Sequence, residues 1–124
     1  MRKKLIYGLI LFASLAFVLA FTPPQSYMGF SAIKTADALI HTGPAYLYGI
    51  VVATDGTNSV TVKTYDNTTA SGTQKPHPDW IVSTGAANRI ASISFDPPVP
   101  MGTGIYVDIT TSGTVSYEVY YRQM

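Results

Sequence analysis

The chain predicts an all-β fold: a single jelly-roll-like or Greek-key antiparallel β-sandwich preceded by an N-terminal hydrophobic helix. Three observations carry that expectation. Residues 104–121 alternate between apolar and polar side chains with a period of two, the mark of half-buried antiparallel strands. Turn signals built from Gly, Pro, Asn and Asp recur at the short spacing of a sandwich. Beyond residue 21 no stretch reads convincingly as a helix.

At the N-terminus, Arg2, Lys3 and Lys4 precede an uncharged apolar run bounded by Leu5 and Phe21. A positive flank followed by an apolar stretch is read by the translocation machinery as an export segment with its basic end inside. Small residues near Ala20 suit a peptidase, whereas a run of this length at about 1.5 Å per residue sits at the lower limit for spanning a bilayer. Residues 1–21 are therefore expected to be a signal peptide or a membrane anchor, with the remainder facing outward. Residues 22–34 read as a linker or arm with some aromatic content, and residues 35–124 as the β-sandwich domain.

Within that domain the first strand is expected over residues 36–42, ended by Gly43-Pro44, because proline fixes its own φ and biases its predecessor towards extended geometry. Residues 46–53 (YLYGIVVA) are apolar on both parities, as in a strand covered on both sides or an interface strand. Asp55-Gly56 is a turn signal, and residues 59–65 resume alternation with Val60 and Val62 inward. A polar loop over 66–72 leads to short extended pieces at 73–75 and 80–83. Residues 89–95 alternate again, with Ala91, Ile93 and Phe95 on one side. The stretch 96–100 (DPPVP) lacks three backbone donors, which bars it from a central strand and predicts a rim connection. The last two strands, with Ile105, Val107 and Ile109 on one dry face and Val115, Tyr117, Val119 and Tyr121 on the other, read as a hairpin joined by a tight Ser112-Gly113 turn. Its wet face would carry Tyr106, Asp108, Ser116, Glu118 and Tyr120.

Composition narrows function. Cysteine is absent, which removes disulfides and thiolate metal sites. Beyond residue 21, five cations stand against seven carboxylates, a net charge of −2 with histidine neutral. Such a balance offers no basic patch for a phosphate backbone, so no nucleic-acid partner is expected. His41 and His77 are the available neutral-pH bases; His41 reads as a strand-end side chain, and His77 with Asp79 lacks a further ligand nearby in sequence. No nucleophile elbow, phosphate-cradling loop or carboxylate pair appears, so no catalytic residue, metal or cofactor is expected. Asp55, Asn58, Asp66 and Asn67 fall in two turns; placed at one end of the sandwich they would offer oxygen ligands for calcium, and otherwise they serve their own turns.

Nine tyrosines among few charges make a surface suited to contact. Tyr46, Tyr48, Trp80, Tyr106 and Tyr120 are the interface candidates, for a protein neighbour or for sugar rings. Charged residues are 12% of the chain, about half the share usual for soluble domains, which favours association into a homo-oligomer.

The segments Thr42-Gly-Pro-Ala-Tyr-Leu-Tyr-Gly-Ile-Val-Val, Thr54-Asp-Gly-Thr-Asn, Val62-Lys-Thr-Tyr-Asp-Asn-Thr, Gly104-Ile-Tyr-Val-Asp and Val119-Tyr-Tyr-Arg together resemble small jelly-roll-like β-sandwich modules of bacteriophage virions. The resemblance spans residues 35–122 and implies a non-enzymatic structural protein of a phage particle at the capsid surface, in a spike or in a membrane-associated component. Its partners would be further copies or other virion proteins, with a membrane engaged through the N-terminus. It carries over no catalytic residues. The alternative is an exported or envelope-anchored binding module for carbohydrate, using Trp80 and exposed tyrosines.

Overall fold

A computed structural model describes residues 28–76, 80–82 and 89–124. Among these residues eight strands run in the order β1 (Met28–Phe30), β2 (Ala38–Thr42), β3 (Ala45–Thr54), β4 (Val60–Tyr65), β5 (Trp80–Val82), β6 (Ile90–Met101), β7 (Gly104–Thr111) and β8 (Val115–Gln123). They form two four-stranded antiparallel sheets, β1-β8-β3-β6 and β2-β7-β4-β5. No helix occurs among the described residues.

The ladder has a simple logic. β1 pairs with β8, β2 with β7, β3 with β6 and β4 with β5, as in one long antiparallel ribbon that doubles back between β4 and β5. Rolling the ribbon lays β3 on β8 and β4 on β7, which closes each sheet. Ala45, Leu47, Ile50, Val52, Val115, Tyr117 and Val119 from one sheet and Val60, Val62, Ile105 and Val107 from the other form a single buried cluster. The alternation read from the sequence therefore points the expected side chains inward. Tyr117 is buried, and its hydroxyl donates to the Ala36 carbonyl at 2.8 Å, so the ring packs while its polar tip is satisfied at the rim.

Four expectations change. The final pair of strands is no hairpin: β7 and β8 belong to different sheets, and residues 112–114 arch across the core from one to the other. Both geometries bury the same side chains, so alternation could not separate them; the neighbouring β3–β4 arch does. Asp55 accepts from Thr114 N at 3.2 Å, Ser112 Oγ donates to Asn58 Oδ1 at 2.9 Å, and a β-carbon on Gly113 would collide with the Asp55 carboxylate. Stretch 96–100 is part of β6 and not a rim connection: Val99 and Pro100 pair with Leu47 and Tyr46, residues 95–98 fall in a register slip opposite Tyr48, and among the described residues β3 is the one neighbour of β6, so the prolines interrupt no second ladder. Opposite it, the register slips between Leu47 and Gly49 on β3.

That slip also explains the apolar run in β3. Ala45 and Leu47 face the core before it, Ile50 and Val52 after it, so the inward parity changes at a bulge centred on Tyr48. Gly49 is required there, because a β-carbon would lie 2.5 Å from the Ile93 carbonyl oxygen. Finally, the arm expected over 22–34 lies, from Met28 on, against the chain's own β8. Ser31 N donates to the Val119 carbonyl at 2.9 Å, Val119 N returns a bond to Ser31 Oγ at 3.0 Å, and Lys34 bridges to Tyr117. The first strand of the second sheet starts at Ala38.

Candidate functional site

Three of the five interface candidates converge on one surface, the outer face of the β1-β8-β3-β6 sheet. On β8 the outward residues are Ser116, Glu118, Tyr120 and Arg122, because their neighbours Val115, Tyr117 and Val119 are in the core. Register places Met28 beside Arg122 and Phe30 beside Tyr120 on one flank, and Tyr46 beside Arg122 and Val51 beside Glu118 on the other. The bulge adds Tyr48 to this same face. Met28 is 57% exposed and Phe30 68%, unusual for side chains of that size within a strand.

The face is organised by ring contacts. Phe30 and Tyr120 meet at 6.4 Å between centroids in a tilted arrangement. The Arg122 guanidinium lies 5.6 Å from the Tyr46 ring centroid and 5.8 Å from that of Tyr48, within cation–π range of both. A groove of about 530 Å³ runs beside them, lined among others by Met28, Tyr48, Val51, Phe95, Pro98 and Tyr120. Arg122, Phe30 and Met28 were not among the residues singled out from sequence. The signal for Phe30 and Met28 was present in the aromatic content of the supposed arm; for Arg122 it needed the register of β8 on β3.

Tyr106 lies elsewhere. It is on the outer face of the second sheet, between Leu39 of β2 and Tyr65 of β4. Tyr106 and Tyr120 therefore occupy opposite sides of the molecule, a direct consequence of the arch that replaces the hairpin. Trp80 opens β5, and its side chain lies outside what is described, as do His77, Asp79, Leu5 and Phe21. Among the described residues no helix is long and apolar enough to cross a membrane. His41 is the penultimate residue of β2, its ring 5.2 Å from that of Tyr121.

The polar turns sit at opposite ends of the sheets, because β4 runs from Val60, next to Thr111, to Tyr65, next to Tyr106. They cannot supply one shared calcium site. Each clasps its own end. At the first, Asp55 Oδ1 accepts from Thr57 N at 2.8 Å and Asn58 N at 2.9 Å, while Oδ2 accepts from Asn58 Nδ2 at 2.9 Å. These bonds, led by the Asn58 N–H, hold the carboxyl far below the ordinary range. At the second, Asp66 accepts from Lys75 Nζ and from Thr103 N, both at 2.7 Å. Burial pushes the Asp66 carboxyl up, but hydrogen bonds from Gly102, Lys75 and Thr103 outweigh it and bring the pKa down to about 2. Among the described residues no three His, Cys, Asp or Glu side chains come together as a metal site would require.

No protein-family model matches the chain, and no curated protein matches it.

Proposed function

We propose that the chain is a non-enzymatic jelly-roll module that works by association, as a structural component of a phage particle. The observation that carries the reading is the outer face of the β1-β8-β3-β6 sheet, where exposed Met28 and Phe30 adjoin three tyrosines and an arginine. Tyr and Arg are the residues that dominate binding energy at protein interfaces, and contiguous apolar exposure marks such sites. The pairing of first strand with last, second with seventh and so on supports the jelly-roll reading, an architecture common to capsid and lectin domains. Residues 1–21 would then export or anchor the module so that this face meets its neighbours outside the cytoplasm.

The carbohydrate reading has one observation in its favour, the groove beside Tyr48 and Tyr120. It is the weaker of the two, because sugar stacking needs a bare ring and the Arg122 guanidinium lies over Tyr46 and Tyr48. Purifying the native protein from its source decides between them: recovery within a larger particle supports the structural role, whereas free protein retained by a glycan array and lost with Tyr48→Ala supports the lectin. The intact mass of the same material reports whether residues 1–21 remain.

A further inference from the structure

The association face carries charge as well as rings, and the charges are placed symmetrically. Glu118, Tyr120 and Arg122 follow one another along the outward side of β8, with Tyr120 midway. Glu118 and Arg122 are four residues apart, about 13 Å at the rise of an extended strand, and the Arg122 guanidinium is turned over the tyrosines of β3. Within one chain the guanidinium is directed at those rings and makes no ion pair with Glu118. A second copy removes that problem.

We infer that the partner of this face is a second copy of the chain, packed sheet on sheet about a two-fold axis that lies in the interface plane, crosses β8 at Tyr120 and runs perpendicular to the strands. This rests on the reading that the face is the association surface, and adds the partner and its register. The axis choice follows from charge. A two-fold parallel to the strands would keep each residue level with itself and set Glu118 against Glu118 and Arg122 against Arg122. The perpendicular axis reverses the strand, so Glu118 of each copy meets Arg122 of the other, twice. It places Tyr120 on Tyr120 and Phe30 on Phe30 at the axis level, because Phe30 is in register with Tyr120. On β3 it sets Val51, level with Glu118, against Tyr46, level with Arg122. The interface is isologous: what one copy offers at 118 the other accepts at 122. Sheets packed this way lie about 10 Å apart, with strands inclined by about 30°.

Charge reversal tests the register without dependence on any ligand. Full-length chain, kept in solution by detergent, is examined by sedimentation at tens of micromolar. Glu118→Arg makes both meeting positions cationic, and Arg122→Glu makes both anionic, so each variant should dimerise at least tenfold more weakly than wild type. Mixed in equal amounts, the two variants should form a mixed dimer of near wild-type strength, because both pairs are then complementary. Tyr120→Lys separates the underlying reading from its extension. If Tyr120→Lys abolishes association but the mixture does not recover it, the face is right and the two-fold is wrong. Wild-type self-association untouched by Tyr120→Lys would overturn both, whereas a wild-type chain that stays monomeric would overturn the second-copy partner and leave the face to the particle-recovery test. A cysteine introduced as Tyr120→Cys adds a positional check against a background free of thiols: a short bismaleimide should link two copies, whereas Tyr106→Cys on the opposite face should stay unlinked.

Discussion

The two outer faces of the molecule are built from the same period-two strands and yet differ in chemistry. On the β2-β7-β4-β5 sheet, the outward positions are Leu39, Thr61, Lys63, Tyr65, Tyr106, Asp108 and Thr110, and Lys63 sits directly across from Asp108. That is a surface made to be wet, with threonines and opposed charges on a pleat. On the β1-β8-β3-β6 sheet, the corresponding positions gather Met28, Phe30, Tyr46, Tyr48, Tyr120 and Arg122. The difference arises in two local devices: a bulge at Tyr48 that brings a further ring to that side, and a short strand, β1, that adds Phe30 next to Tyr120. Tyrosine content alone does not mark the site; the sheet to which each tyrosine belongs does.

Perturbations of the core on either side should have the largest effects. Val107 is fully buried on β7 while its neighbour Asp108 faces out. Val107→Asp places an unpaired carboxylate in the buried cluster and should cost about 4 kcal/mol or more, abolishing the cooperative melt. Asp108→Asn should leave the melting curve nearly unchanged. Next in size is removal of β1. A chain beginning at residue 35 exposes the β8 edge and loses the paired bonds between Ser31 and Val119, so it should melt well below one beginning at residue 28 and lose the proposed association face together with Phe30.

Smaller effects sharpen the account of the two ends. Because the folded Asp66 carboxyl titrates at about 2 and an unfolded aspartate at about 3.9, its contribution is fully present above about pH 4 and is lost as pH falls through about 2. Asp55 is shifted in the same direction by the Asn58 and Thr57 bonds. Acid unfolding should therefore steepen below about pH 4, and Asp66→Asn should flatten that part of the profile while lowering stability at neutral pH by about 1–3 kcal/mol. Smallest is Tyr117→Phe, which keeps the packing and deletes the bond to Ala36. Burial, with the Asp37 charge adding to it, holds the Tyr117 hydroxyl protonated well above the usual tyrosine range, so the loss should be about 1 kcal/mol and independent of pH below about 9.

Much of the fold could be read from residues in order, for a definite reason. Alternation reports which side chains are dry, and Ile105, Val107, Val115, Tyr117 and Val119 are all buried as their spacing requires. Alternation does not report which strand lies alongside. The turn at Ser112-Gly113 is short enough for a hairpin, and what makes it a crossing is long-range: β7 pairs with β2 and β4 while β8 pairs with β1 and β3, and Asp55 and Asn58 of another arch, distant in sequence, bond to the turn. The same limit applies to the site. Tyr106 and Tyr120 share a parity pattern, but the sheet they belong to is a long-range property. The prolines near residue 97 were informative in the negative sense, excluding a central strand, and an edge strand satisfies that constraint as well as a loop does.

The contrast between faces can be measured directly by hydroxyl-radical footprinting of the full-length chain, comparing dilute protein with protein at tens of micromolar. Oxidation of Phe30, Tyr48 and Tyr120 should fall severalfold on association while Tyr65 and Tyr106 react as before. Equal protection of Tyr106, or protection of the β2-β7-β4-β5 face with Tyr120 still reactive, would contradict it.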